Sequence, residues 1–261
     1  MTVLADGCEP VEPLRGVVVA VTRSEAGPLA TALTSAGAEV VHVPLIDIGP
    51  PRDGAPLATA LAELGAFDWL VITSVNGVRV VADALGSSRA GPRLAAVGPV
   101  TGSALAAAAG RAVDLVPTVS TAAALVSEFP DPPARVLVAQ AERAAPTLVD
   151  GLRAAGHDVV AVTAYTTRSQ PPTTADRGAL AGADVVVFAS GSAVEAWIDA
   201  GLDAGTSDGP LVVAIGPSTA RVAAELGVRP HQVADRPDPE GVVAAVVRAV
   251  RARAELRRTT P

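Results

Sequence analysis

Short apolar runs recur along the chain, and stretches of mixed apolar and polar character separate them. Val17–Val21, Glu39–Val43, Trp69–Thr73 and Leu94–Val97 are apolar or nearly so throughout, the pattern of strands buried on both faces. Between them, PLATALTSAG and GVRVVADALG place apolar residues at helical spacing and stop at glycine, the usual signal of a helix C-terminus. Strand alternating with helix implies parallel sheets flanked by helices. The predicted fold class is therefore α/β.

The pattern is written twice. GVVVAVTRSEAGPLATALTSAGAEVVHVP (16–44) aligns with RVLVAQAERAAPTLVDGLRAAGHDVVAVT (135–163), with Gly37 opposite Gly156. DWLVITSVNGVRVVADAL aligns with DVVVFASGSAVEAWIDAG, Ser74 opposite Ser190, and LAAVGPVTGSAL with VVAIGPSTARVA, Thr101 opposite Thr219. Three blocks recur in one order at nearly one offset, the mark of an internal duplication. Pro-rich breaks at 49–56, 130–133, 170–174 and 235–239 cut each half into a βαβ unit and a longer multi-strand unit. A chain of 261 residues also fits two domains. This reading leaves open which units pack together.

The polar residues gather where strands end. Ser74 and Asn76 follow one apolar run, and Ser190, Gly191 and Ser192 follow its duplicate. Gly98, Pro99 and Thr101 form a third such turn; Gly216, Pro217, Ser218 and Thr219 form a fourth. In open parallel sheets, ligands bind at the carboxyl ends of strands. Helix N-termini there offer unpaired N–H groups and partial positive charge to an anion. The same residues are also ordinary helix N-caps, which need no ligand. Any one turn is accounted for by capping, and four mirrored turns point to a shared anion-binding cleft.

Composition narrows the chemistry. All 20 basic residues are arginine, so Schiff-base, pyridoxal phosphate and Walker-type phosphate chemistry lack their lysine; codon bias is a source of such a composition that needs no function. Net charge is −7 and aromatics make up 2%, against a nucleic-acid partner. Apolar runs are too short for a membrane span, and the acidic N-terminus does not resemble a signal peptide. Together with the lone Cys8, this predicts a cytoplasmic protein. His42, His157 and His231 have no metal-ligand spacing. VTRSEAG stands where a dinucleotide fold would carry G-x-G-x-x-G, and no G-x-S-x-G elbow occurs. Any chemistry must work by positioning, through hydroxyls, backbone amides and arginines.

With these patterns in hand, about Arg15 to Val250 resembles the uroporphyrinogen-III synthase family. The matching stretches are VTRSEA, GAEVVHVPLIDI, DWLVITSVNGV, AAVGPVTGSAL, VPTVSTAAALV, AGHDVVAVTAYTT, DVVVFASGSAVEAW and VVAIGPSTARVAAELG. The resemblance implies two interleaved domains of doubled, flavodoxin-like or Rossmann-like topology. One would comprise residues 15–46 with 170–252 and the other 50–163. Antiparallel hinge strands at 45–49 and 164–169 would leave a cleft between them, with tails at 1–14 and 253–261.

The implied reaction is cyclisation of the linear tetrapyrrole hydroxymethylbilane, with loss of water and inversion of the fourth pyrrole ring. It needs no cofactor. Because the substrate carries eight carboxylates, the doubled anion cradles acquire a purpose. The azafulvene left by water loss can close unaided to the wrong isomer, so geometric control is the main task. Tyr165, the sole tyrosine, lies where the family places a cleft tyrosine and is the catalytic candidate; its alternative is a strand-end anchor. Thr22 and Arg23 at the first strand's end, and Ser218 and Thr219 after Gly216, are implied to bind substrate. So are Ser74, Asn76, Gly77, Gly98, Thr101, Ser120, Gln140, Ser190, Gly191 and Ser192. The chain departs from the family at Gln140 and Ala141, where Arg-Gly is common, and at Ala189 and Gly191, where Thr and Pro are usual. The expected partner is the tetrapyrrole polycarboxylate alone, bound by a monomer. The competing expectations are a noncatalytic tetrapyrrole-sensing module and a binding protein for another anionic small molecule.

Overall fold

The structure is a computed structural model, and it describes residues 12–86, 91–203 and 209–259. The chain opens with β1 (Val18–Val21), α1 (Gly27–Ser35) and β2 (Glu39–His42). It continues through β3 (Ile46–Gly49), α2 (Ala55–Ala62), β4 (Trp69–Ile72), α3 (Val75–Gly86), β5 (Arg93–Ala96), α4 (Pro99–Ala109), α5 (Ala122–Ser127), β6 (Arg135–Ala141), α6 (Thr147–Ala154) and β7 (Asp158–Ser169). Then come α7 (Thr174–Ala181), β8 (Val185–Phe188), α8 (Gly191–Asp199), β9 (Leu211–Ala214), α9 (Pro217–Glu225), β10 (Gln232–Val233) and α10 (Pro239–Thr259). These elements form two compact units, Ile48–Arg168 and the remainder of the chain on either side of it.

The first unit holds a sheet of order β10-β9-β8-β1-β2, whose ladders are all parallel. Its central strands read VVAV, VVVF and LVVA because both faces are covered. Val19, Val21, Val185, Val187 and Val213 face α1 and α10, where Leu29, Leu33, Val242 and Val246 pack on them. The alternate residues Ala20, Val186, Phe188 and Val212 face Leu180, Trp197 and Ala223 of α7, α8 and α9. Each such side chain, buried fully, stabilises by roughly 1.5–3 kcal/mol, so exposure of either face is strongly disfavoured.

The second unit holds a sheet of order β3-β7-β6-β4-β5. The ladders β4–β5, β4–β6 and β6–β7 are parallel. Leu70, Ile72, Leu94, Leu137 and Ala139 form one core layer with Val78, Val81 and Leu105. Trp69, Val71, Val136 and Val138 form the other with Leu125, Leu148 and Leu152.

The duplicated blocks land in equivalent places. The strands β9-β8-β1-β2 correspond to β5-β4-β6-β7, although the chain visits the two pairs in opposite order. Even the edge is matched: Gln232 pairs with Val213 beside β9, and Leu115 makes a parallel bridge to Ala95 beside β5. Each sheet therefore has a point where the strand order reverses, between β8 and β1 in one and between β4 and β6 in the other. At such points loops leave in opposite directions and open a crevice at the strand ends.

Residues 164–169, expected as one of two hinge strands, form the end of β7, a single strand of 12 residues whose neighbour in the sheet is β3. Two expectations about the tails are corrected. The C-terminal tail expected from residue 253 is helical through Thr259, and Arg253 donates to the Asp184 carbonyl at 3.2 Å and carboxylate at 3.3 Å. Leu14, expected in an N-terminal tail, is fully buried against α1, with its N–H on the Ala36 carbonyl. Cys8 lies outside the described residues.

Candidate functional site

In the second unit the candidate residues meet at the crevice between β4 and β6. β4 runs out at Ile72, and Ser74 turns the chain into α3. The Ser74 carbonyl accepts from Val78 N–H at 3.1 Å, and its Oγ accepts from Gly77 N–H at 3.2 Å. Ser74 is thus an N-cap, satisfying one donor of the first turn. The same Oγ lies 2.8 Å from the hydroxyl of Tyr165. Tyr165 comes from β7, with β6 between it and β4, so its side chain spans a strand to reach the crevice.

A bulge aims it there. Gln140 pairs with Thr163 but Ala141 pairs with Tyr165, so the ladder skips Ala164. Such an extra residue bends a strand and redirects its side chains. Glu142 N–H then closes on the Tyr165 carbonyl at 3.0 Å. Gln140, half-buried at the end of β6, sits at the same irregularity. Gly77 is buried, and a Cβ there would lie 3.2 Å from Ile72 Cγ2 and 3.6 Å from the Ala139 carbonyl oxygen. The glycine thus lets α3 approach the sheet closely. Asn76, on the first turn of α3, is half-buried.

The turn after β5 is different. Gly98 is the N-cap of α4 in extended conformation, Pro99 follows, and no side chain caps the helix. The first-turn amides of Val100 and Thr101 are therefore left for another partner. Ser120 closes over this turn, its Oγ 3.0 Å from where a Gly98 Cβ would be. Thr101 is 8% exposed and faces inward.

The first unit repeats the scheme. Ser190 is the N-cap of α8, its side chain accepting from Ala193 N–H at 3.2 Å. Gly191 stands where a Cβ would lie 2.9 Å from Val222 Cγ2, so α8 and α9 touch there. Ser192 is half-buried on the same first turn. Gly216 is an N-cap with no side-chain cap and Pro217 after it, as at Gly98; Ser218 is exposed and Thr219 is 5% exposed.

Thr22 does not offer its hydroxyl to a ligand. It is fully buried and donates to the Val187 carbonyl at 3.3 Å, joining the ends of β1 and β8. Arg23 is half-buried, its carbonyl held by His42 Nε2 at 2.8 Å. The four turns thus divide into two kinds. Serines fill the first turns of α3 and α8, whereas Gly98 and Gly216 leave open N-termini suited to carboxylates.

The direct contact of Ser74 with Tyr165 was not readable from the sequence, for nothing in local spacing joins residues so distant, and no glycine or proline marks the bulge. Two hollows of the first unit contain none of the expected residues. One, of about 790 Å³, lies between α1 and α10 and is lined by Pro28, Thr31, Val243 and their neighbours. The other, of about 370 Å³, is lined by Arg177, Leu180, Trp197 and Leu202 among others. Among the described residues, no group of three or more His, Cys, Asp and Glu is placed to hold a metal ion. No described helix is long and apolar enough to cross a membrane.

A family model described as uroporphyrinogen-III synthase HemD matches residues 27–244. A uroporphyrinogen-III synthase of Synechococcus elongatus is 35% identical over 167 residues, 60% of this chain and 63% of that protein. A porphyrin biosynthesis protein HemD of Ruminiclostridium josui is 33% identical over 78 residues, 29% of this chain and 16% of its own length. The matched part thus spans somewhat less than two thirds of the first of these relatives and a small part of the second. Among solved structures, a mutant uroporphyrinogen III synthase of the extremely thermophilic bacterium Thermus thermophilus superposes with a TM-score of 0.64 at 18% identity, covering 90% of this chain and 99% of that one. The Helicobacter pylori synthetase superposes with a TM-score of 0.59 at 17% identity, with the same coverage. At these identities the structures establish a shared fold.

Proposed function

Since the chain belongs to the uroporphyrinogen-III synthase family, we propose that it cyclises hydroxymethylbilane to uroporphyrinogen III, as a monomer in the cytoplasm and without a cofactor. The observation that carries this reading is the family match across residues 27–244, and the chemistry of the strand ends is suited to it. The substrate is a polycarboxylate. The amides at the open N-termini of α4 and α9 favour carboxylates through their partial positive charge, and they do so without adding a titratable group.

Tyr165 has the role of donor to the departing hydroxyl. Its phenol carries one O–H and sits at the crevice of its sheet rather than in the strand's interior ladder. Loss of water leaves the azafulvene, and the substituted carbon of the fourth ring then attacks it to form the spiro intermediate. Because the azafulvene can close unaided, the protein's contribution is to hold the last ring so that this carbon is nearest, an effect of orientation. Each unit by itself offers further groups suited to carboxylate arms: the half-buried Asn76 and Gln140 in one, and the exposed Ser218, the half-buried Ser192 and Arg23 with its permanent charge in the other.

The test is direct. Freshly made hydroxymethylbilane is incubated with the protein, and the oxidised porphyrins are separated by chromatography. A predominance of the type III isomer is expected; type I alone, as forms without protein, would remove the proposal.

A further inference from the structure

We propose that Ser74 is a positioning residue: its hydroxyl donates to the phenol oxygen of Tyr165 and so leaves the phenolic proton free to point at the leaving group. The catalytic purpose of this contact rests on the reaction proposed above.

A serine hydroxyl has one proton to give and two lone pairs. At Ser74 one lone pair is taken by Gly77 N–H, 3.2 Å away. What faces Tyr165 at 2.8 Å is therefore the proton or the second lone pair. If the phenol donated to Ser74, its proton would be committed to the protein and unavailable to the substrate. With the serine donating, one chain of polarisation runs from Gly77 N–H through Ser74 to Tyr165. Hydrogen bonds in such a chain strengthen one another, and its origin at the N-terminus of α3 stabilises negative charge developing on the phenol oxygen. Among the described residues, Ser74 is the only side chain bonded to that hydroxyl. The β7 bulge and the bond from Glu142 N–H fix the backbone of Tyr165, and Ser74 fixes the other end of its side chain.

Three substitutions separate positioning from capping. Ser74→Ala loses both. Ser74→Asp keeps the cap, since aspartate is as good an N-cap as serine, but an ionised carboxylate cannot donate. Ser74→Thr keeps both. The expected result is a fall in kcat of about tenfold to a hundredfold in Ser74→Ala and in Ser74→Asp, at or below the lower end of the roughly 10²–10⁴-fold range of direct proton-transfer assistance, because Ser74 acts through Tyr165. Ser74→Thr should recover most of the loss, and Ser74→Ala should add little to Tyr165→Phe, because the two act as one unit. An Asp variant that turns over as the parent does would reduce Ser74 to a cap and overturn the proposal.

A second readout is independent of turnover. Tyr165 is the sole tyrosine, so isotope-labelled tyrosine gives one set of magnetic resonance signals. Those of the phenol carbon should move in Ser74→Ala and return in Ser74→Thr; an unmoved signal would exclude the contact whatever the activity. If the parent yields only the type I isomer while the signal does move, the reaction assignment fails and the contact stands.

Discussion

Ala141 pairs with Tyr165 across β6 and β7, whereas the residue before it, Gln140, pairs with Thr163. One unpaired residue, Ala164, thus decides that the phenol reaches the crevice beside Ser74. Tyr165→Phe keeps the ring that packs in the core and removes only the hydroxyl. Turnover to the type III isomer should fall about a hundredfold, the lower range for proton-transfer assistance. Thermal unfolding should change little, because the lost hydrogen bond contributes only about 1 kcal/mol. Steady-state kinetics beside a melting curve checks both; unchanged turnover makes Tyr165 a structural anchor.

Close packing at Gly191 makes a prediction about stability alone. A Cβ added there would lie 2.9 Å from Val222 Cγ2 and 3.1 Å from its Cγ1. Valine in a helix is confined to one rotamer, so the clash is not relieved by rotation. Gly191→Ala should destabilise the protein by about 1–3 kcal/mol, the usual cost of overpacking. The double variant with Val222→Ala should recover part of it, measured by urea denaturation of the three proteins.

Capped and open turns should respond oppositely. Ser190→Ala removes the bond to Ala193 N–H and should lower stability by about 1 kcal/mol. Ser218→Asp places a carboxylate on the open first turn of α9, where Ser218 is exposed. It should stabilise the helix by about 0.3–1 kcal/mol yet raise KM, since it occupies the position proposed for a substrate carboxylate. If KM is unaffected, that turn does not hold substrate.

His231 couples the first sheet to pH. Its Nδ1 accepts from Val212 N–H at 3.0 Å, which requires a neutral ring. Partial burial, and secondarily the nearby Arg253 guanidinium, hold its pKa below the ordinary 6.5. The unfolded chain therefore takes up a proton first as pH falls. The stabilisation is complete above 6.5 and is lost on acidification from there toward the lower folded value. Denaturation midpoints should decline across that window in the parent and less in His231→Asn, whose amide oxygen can accept the same bond. Equal decline in both would locate the effect elsewhere.

Much of this protein was legible along the chain because burial on both sides leaves strands such as VVAV, VVVF and LVVA with no polar position. The repeat was legible too, since each copy must satisfy the same two-faced sheet. Other features turn on contacts between distant residues or on a single step of register, which composition and periodicity do not encode. Ser74 and Ser190 fit a cap or a cradle along the chain, and the positions of the Gly77 and Ala193 amides make them caps. Thr22 stood at a strand end like the others, but its side chain turned inward to Val187. The arginine-rich end has the composition of a tail, yet Arg253 is bonded to Asp184. Local pattern determined the strands, the helices and their duplication, because burial acts on every residue alike. Tertiary structure alone decided which sheet each strand joined and which hydroxyl met which neighbour, because hydrogen bonds depend on tenths of an ångström between segments the chain itself holds far apart.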